Sequence, residues 1–280
     1  MNQGTLYIVA TPIGNRSDMS ARAVEVLKQV DLIAAEDTRN SAGLMQLYAI
    51  TTPMLAYHDH NEEQMTPRLI QRLQSGESVA LVSDAGTPLM SDPGYRLVKA
   101  AHESSIQVSP LPGACAAIAA LSACGLATDR FLFAGFAPHK QVARQRFFEE
   151  FVQQSATLVF YESSHRIVAS VSDMQIVYGH QRQVTMAREI SKTFETIHKC
   201  TLGELPGWLQ ADKNQQKGEF VIVLEGATIQ VEAQMLELES ILEVLLTDLS
   251  VRQAAQMAAK ITGAKKNTAY KLALEISASG

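Results

Sequence analysis

The sequence predicts an α/β protein: a largely parallel sheet over residues 1–112, a second, mixed sheet after it, and a helical module from about Val231. Three observations predict this. In the first part, short apolar, β-branched runs alternate with amphipathic stretches, the pattern of strand–helix–strand units whose sheet is covered on both faces. The later strand-like runs are longer and carry aromatics, which suits a mixed sheet. Beyond Val231 the composition shifts, with five acids and no base in 231–248, then five bases and no acid in 249–274, both at helical spacing.

Taken in order, the first strands are Leu6–Ala10, Asp31–Ala35, Val79–Ser83 and Ile106–Ser109. Helical patterns between them include Ala21–Val30 and Pro67–Leu73, where Leu69, Ile70 and Leu73 share one face. Ser104–Thr128 carries no charge, yet Pro110, Pro112, Gly113 and Gly125 and many Ala and Ser make it too broken and too weakly apolar for a membrane span. It reads instead as a buried strand, a turn and the small-residue helix Ala114–Ala123. Strands follow at Phe131–Phe136, Thr157–Tyr161, Val184–Ala187 and Phe220–Leu224. Ala137–Arg146 is polar and basic and reads as a loop or lid; Gln210–Gly218 reads as a surface turn. Gly263 falls between two helical patterns, as in a helix–turn–helix pair.

Composition excludes several classes. The chain has 280 residues and is 46% hydrophobic, too apolar for a disordered chain and too long for a disulfide scaffold. Its three cysteines, Cys115, Cys124 and Cys200, form no C-x-x-C pair, so neither a zinc ribbon nor a redox motif is present. Their sparse, odd count suits a reducing cytoplasm, and Met1–Ala10 lacks the basic region and long apolar run of a secretion signal. The net charge of −5 excludes a uniformly basic nucleic-acid coat protein. Residues 1–112 hold 8 bases and 12 acids, residues 113–230 hold 11 of each, and residues 231–280 hold 5 and 6. The acidity therefore lies mainly in the first sheet region.

Four loops follow predicted strands, and ligands of parallel α/β sheets bind at the carboxyl ends of strands. They are Thr11-Pro12-Ile13-Gly14-Asn15, Glu36-Asp37-Thr38-Arg39, Ser83–Pro88 running on through Ser91-Asp92-Pro93-Gly94, and Pro110–Ala116. Each taken singly also fits a tight turn or helix cap. None matches G-x-G-x-x-G or the Walker pattern, so neither a dinucleotide nor a nucleoside triphosphate is the default ligand. Gly86 and Gly113 permit close backbone approach, and Asp84 and Asp92 add negative charge. A cationic ligand suits such loops better than a pyrophosphate. His58-x-His60 has no third ligand at metal spacing, so no metal is expected.

With these loops come Phe160-Tyr161-Glu162-Ser163-Ser164-His165-Arg166, Ala187-Arg188-Glu189-Ile190-Ser191-Lys192, Lys217-Gly218-Glu219-Phe220 and Lys265-Lys266-Asn267-Thr268-Ala269-Tyr270. In this order the set resembles the bacterial 16S rRNA (cytidine) ribose 2′-O-methyltransferase family, of the tetrapyrrole-methylase-like class, over about Leu6 to Glu275. Arg16 and Cys115 stand where that family usually has an apolar and a small residue. The resemblance implies two α/β domains, 1–112 and 113–230, with S-adenosylmethionine in the cleft between them, a helical module at 231–280, and a homodimer. It implies cofactor contacts from Ile13, from Asp84, Ala85, Gly86, Thr87, Pro88 and Met90, and from Cys115, Ala116, Phe136 and Ala187.

The reaction so implied is attack of a ribose 2′-oxygen on a sulfonium methyl group, which a general base would assist. Candidates near the cleft are Asp37, Arg39, Glu162 and Glu189, with Glu36, His58 and Asp59 as further polar groups. The alternative for Asp37 and Arg39 is a structural ion pair, for Glu162 a helix-terminal acid beside Ser163 and Ser164, and for Glu189 a role at the domain interface. The substrate would be 16S rRNA, within the 30S subunit, gripped through phosphates by Lys140, Arg144 and Arg146 and by Arg252, Lys260, Lys265, Lys266 and Lys271. Two other readings stand beside this one. The first is a C-methyltransferase of tetrapyrroles, which has no need of a basic helical module; the second is a nucleic-acid-binding regulator without catalysis.

Overall fold

In the computed structural model, which describes residues 3–227 and 231–279 apart from the side chains of 231–236 and 278–279, the first apolar runs form one parallel sheet. Its strands are β1 (Thr5–Val9), β2 (Leu32–Ala35), β3 (Met54–Ala56), β4 (Val79–Val82) and β5 (Gln107–Leu111), in the order β3-β2-β4-β1-β5. Helices α1 (Ala21–Gln29), α2 (Thr38–Leu47), α3 (Glu62–Gln74) and α4 (Tyr95–Glu103) cover it. Alternate residues serve opposite faces. Leu6, Ile8 and Leu81 pack with Leu69 and Leu73 of α3 and Leu97 of α4. Val9, Ile33 and Val82 pack with Leu27 of α1 and Met45 of α2. Burying each large aliphatic side chain contributes roughly 1.5–3 kcal/mol, and β2 and β4, buried throughout, carry no polar residue. The helix expected at Pro67–Leu73 extends over Glu62–Gln74 with Pro67 inside it, and Glu62 and Glu63 favour its positive N-terminal end.

The second sheet is mixed, as its aromatic runs suggest. It comprises β6 (Phe131–Phe136), β7 (Thr157–Ser163), β8 (Gln183–Arg188), β9 (Thr196–Thr201) and β10 (Glu219–Leu224), in the order β6-β7-β10-β8-β9. Only β6 and β7 pair in parallel, with a bulge between Phe133 and Gly135. The small-residue helix α5 (Ala116–Ala123) covers one face through Val159, Ala187, Val221 and Val223. Helices α6 (Gln141–Glu149), α7 (Ile167–Tyr178) and α8 (Leu205–Ala211) cover the other through Phe160, Met186 and Ile222. The segment read as a loop or lid, Ala137–Arg146, is therefore mostly helix, because Phe148 and the guanidinium of Arg144, bonded to Asp173, anchor α6 against α7.

By chain contacts the first compact unit ends at residue 152 and resumes over 156–225, so it holds both sheets. The second holds 153–155 and the chain from 226 onward. Within it α9 (Val231–Leu245), α10 (Val251–Thr262) and α11 (Lys266–Ser279) pack through Leu238, Leu242, Ala254, Ala258, Ala269 and Ala273. Ser250 and Gln253 form a capping box at the start of α10. Gly263 closes it in the left-handed conformation at φ 72°. Among the described residues no helix is long and apolar enough to cross a membrane.

Candidate active site

The four loops predicted from the parallel strands meet and are tied to one another. Thr11 and Gly86 exchange backbone hydrogen bonds of 2.8 and 3.0 Å, joining the first loop to the third. The Asp84 amide donates to Glu36 Oε2 at 3.2 Å, and Asp84 accepts from the Asp37 amide at 3.1 Å and from Asn40 at 2.7 Å. These bonds join the third loop to the second. Thr87 donates its hydroxyl to the Ala114 carbonyl at 3.0 Å, joining the third to the fourth. Two glycines make this closeness achievable. Gly86 sits at φ 84°, and a side chain there would start 3.3 Å from Ile13 Cγ2. A Cβ on Gly113 would lie 2.7 Å from that of Ala10.

These loops border a cleft of about 440 Å³, the size of a small-molecule site. Ile13, Met90, Ala116, Phe136, Ile190 and Val221 supply apolar wall. Five carboxylates reach it, Glu36, Asp84, Asp92, Glu162 and Glu219, and no Lys or Arg is among the lining residues. Two of the five are neutralised from behind. Glu162 is buried against Arg166 at 2.8 Å, the Ser163 amide at 2.8 Å and the Ser170 hydroxyl. Glu219 pairs with Lys192 at 2.9 Å. The other three repel one another. Burial, followed by the charges of Asp84, Asp59 and Asp37, raises the Glu36 carboxyl above the ordinary range, while the Asp84 amide works the other way. Burial and the charge of Glu36 push Asp92 up to about 6. Such a cleft favours a medium-sized organic cation and disfavours polyphosphate.

The aromatic wall is also fixed from behind. Phe133 and Phe136 meet Tyr161 edge-on at centroid distances of 4.8 and 5.5 Å, and Arg166 lies 5.9 Å from the Phe136 ring. Arg166 also donates to the Ala137 carbonyl at 2.7 Å. Burial raises the Tyr161 hydroxyl far above its usual range, so it stays neutral and accepts the Ala117 amide at 3.2 Å.

The structure places the residues expected from sequence as follows. Ile13, Asp84, Ala85 and Gly86 line the cleft, as do Thr87, Met90, Ala116 and Phe136. Pro88, Cys115 and Ala187 are not among the lining residues; Ala187 of β8 is buried in the core that the second sheet shares with α5, and Cys115 packs against that core. Each of the four catalytic candidates, Asp37, Arg39, Glu162 and Glu189, is held in an ion pair. Asp37 and Arg39 bond to each other at 2.7 Å on the surface, which holds the Asp37 carboxyl down at about 2. Glu162 is engaged by Arg166 and Ser170, so it anchors the Phe136 wall. Glu189 accepts from Lys192 at 2.8 Å and from the Glu219 amide at 2.9 Å, bracing the loop before β9. Arg144, unlike the other basic candidates, is 5% exposed and paired with buried Asp173 at 2.6 Å. Lys140, Arg146, Arg252, Lys260, Lys265, Lys266 and Lys271 are exposed. Among the described residues no group of His, Cys, Asp and Glu has metal-binding geometry.

Sequence reasoning placed no cleft residue in β10 or just before it, yet Gly218–Val221 form one side. Tyr161, Ser163 and Ser164 lay in a motif already singled out, at the carboxyl end of β7 and just beyond it.

Comparison with known proteins extends this picture. Residues 5–206 match the family Tetrapyrrole (Corrin/Porphyrin) Methylases, and residues 232–277 match the RsmI C-terminal HTH domain. The chain is 49% identical to the Ribosomal RNA small subunit methyltransferase I of Pseudomonas aeruginosa over 98% of both chains. It is 50% identical to that of Escherichia coli, over 98% of this chain and 96% of the other. Among solved structures it resembles the methyltransferase CobJ, with TM-score 0.59 and 15% identity over 80% of this chain and 95% of that one. It also resembles the Thermus thermophilus uroporphyrin-III C-methyl transferase complexed with S-adenosyl homocysteine, with TM-score 0.52 and 17% identity over 81% and 100%.

Proposed function

The chain belongs to the Tetrapyrrole (Corrin/Porphyrin) Methylases, and on that premise we propose that it methylates the 2′-oxygen of a cytidine ribose in the decoding region of 16S rRNA. It is a methyltransferase that uses S-adenosylmethionine. The observation that carries the RNA substrate is the extent of the likeness. The relatives named for ribosomal RNA match through the C-terminal module, whereas CobJ and the uroporphyrin-III C-methyl transferase leave about a fifth of this chain uncovered. A tetrapyrrole substrate gives that module no task.

The cleft fits the cofactor on its own chemistry. A sulfonium is a cation, and the lining offers carboxylates, apolar wall and no basic side chain. Asp84–Thr87 with Ile13, Met90, Ala116 and Phe136 would hold it. When bound, it supplies an electrophilic methyl group on a positively charged sulfur. The protein's part is alignment and dryness. Cross-bonded loops hold the walls before substrate arrives, so little ordering remains at the moment of transfer. Exposed Lys140, Arg146, Arg252, Lys260, Lys265, Lys266 and Lys271 are the proposed phosphate contacts. The assembled 30S subunit as substrate, a homodimeric enzyme and a cytoplasmic location complete the reading.

The test is methylation of purified 30S subunits and of free 16S RNA with radiolabelled S-adenosylmethionine, followed by mapping of the modified nucleotide. A single ribose-methylated cytidine in the decoding region is the expected product. No transfer to either RNA, with transfer to a uroporphyrinogen instead, refutes it.

A further inference from the structure

We propose that Asp92 is the general base of the methyl transfer, taking the proton of the ribose 2′-hydroxyl as its oxygen attacks. The inference rests on the RNA methyltransferase reading of the cleft and assigns a residue within it.

The cleft carboxylates differ in what each is bonded to. Glu162 is held by Arg166 and Ser170, and Glu219 by Lys192. Glu36 accepts the Asp84 amide, and Asp84 accepts the Asp37 amide and the Asn40 side chain. All four serve contacts that hold the loops together, and protonating any of them would loosen the site it belongs to. Asp92 differs. Among the described residues no N–H group or cation is bonded to it, and the Ser83 hydroxyl beside it donates to the Ala85 and Gly86 carbonyls. It lines the cleft half-buried, with its carboxylate free to receive a proton without breaking a strut.

Its placement is built at a cost. Leu89 and Ser91, flanking Met90 just before it, both sit at φ 72°, where a side-chain-bearing residue is strained by about 1–2 kcal/mol. This turn packs Ser91 over Gly135 at the bulge in β6. Asp92 thereby reaches the cleft between the loops of the parallel sheet and Tyr161 of β7. The titratable groups facing it are Glu36 after β2, Asp59 after β3 and Asp84 after β4 on one side, and Tyr161 on the other. None is a cation. Burial and these negative neighbours make its carboxyl a stronger base than an ordinary one, at about 6, yet still ionised at neutral pH.

The step balances. Asp92 takes the hydroxyl proton as the ribose O–H bond breaks, and the freed electron pair forms the bond from oxygen to the methyl carbon. The carbon–sulfur bond breaks with its pair left on sulfur, which becomes a neutral thioether. Protonated Asp92 then returns its proton to water.

The test compares wild type, Asp92→Asn and Asp92→Glu in single-turnover methylation of 30S subunits across pH, with calorimetric affinity for S-adenosylhomocysteine as the second readout. The wild-type rate is expected to rise along an acidic limb to a plateau, with the limb below the ligand-free value of about 6 because a bound sulfonium favours the ionised carboxylate. Asp92→Asn should lose about 100-fold or more in rate, keep its homocysteine-product affinity within about threefold, and lose the acidic limb. Asp92→Glu should keep part of the rate with the limb displaced, and it decides the matter if the Asn variant does not fold. An Asn variant at near wild-type rate, one that retains the limb, or one whose loss follows lost product affinity overturns the inference. So does a Glu variant with unaltered rate and limb. Wild-type enzyme inert on 30S subunits and 16S RNA overturns the parent reading together with it; an active wild type beside an unimpaired Asn variant overturns the base assignment alone.

Discussion

Arg144 is the sharpest place to test the structure against the sequence, because a basic residue in a basic segment invites an RNA role. Its guanidinium instead bonds Asp173 through two nitrogens at 2.6 Å and the His139 carbonyl at 3.0 Å. The side chains are 6% and 2% exposed. Asp173 also accepts from Gln145 at 2.7 Å and Gln141 at 3.3 Å. Arg144→Ala would leave a buried carboxylate with two neutral amides. Removing one partner of a buried pair costs about 3–5 kcal/mol, and the two amides favour the lower end. For a unit of this size about 3 kcal/mol lowers Tm by about 6–12 °C. The assay is thermal unfolding followed by fluorescence of Trp208, the single tryptophan, which stacks on His198 at 4.3 Å in the same unit. Arg144→Met with Asp173→Leu should recover most of the loss, since a packed apolar pair of similar volume replaces a desolvated ion pair at little net cost. Arg146→Ala, on the exposed side of the same helix, should leave Tm unchanged. If Arg144→Ala melts with wild type while rRNA affinity falls, the burial argument is wrong and the guanidinium serves RNA.

Three further outcomes are expected. Gly86→Val should weaken S-adenosylhomocysteine binding by at least about 100-fold in calorimetry, because its backbone at φ 84° resists a side chain and the added atoms enter the cleft beside Ile13; unchanged affinity removes this loop from the site. Lys265→Glu with Lys266→Glu should weaken 16S rRNA binding and flatten its salt dependence while cofactor affinity holds, whereas an unaltered slope means that these exposed lysines touch no phosphate. Asp92→Asn should raise Tm at alkaline pH and give no gain at strongly acidic pH. The folded carboxyl titrates at about 6 against an ordinary 3.8, so the stability its proton contributes is full below 3.8 and lost as pH rises through about 6. A Tm difference that does not vary with pH contradicts the burial of that carboxylate.

What was legible in the sequence follows from how local each signal is. The parallel strands were readable because burial on both faces leaves only apolar residues, as in Leu32–Ala35 and Val79–Val82. Their loops were readable as a site because each follows its strand directly. Strand β9, Thr196–Thr201, was missed because it is half-exposed and polar at the sheet edge. Helix α6 was missed because Arg144 occupies an inward position, and a buried charge looks like surface until its partner on α7 is known. Gly218–Val221 were missed as cleft wall because antiparallel pairing with β7 brings them there, Phe220 opposite Glu162. The contacts of the catalytic candidates were hidden for a related reason. A carboxylate near a cleft must either find a donor or endure a raised affinity for its proton. Asp37, Glu162 and Glu189 each found one, and in doing so became supports for the loops. Their partners lie two to four residues away, at Arg39, Arg166 and Lys192, so the sequence offers the pairs but not the geometry that consumes them. Asp92 is distinguished by the reverse property, the lack of an N–H or cationic partner among the described residues. Such a lack is a relation among β4, the strained turn after it and β7. It exists only once those three are folded together, which is why a chain can display every acid it owns and still conceal which one is basic.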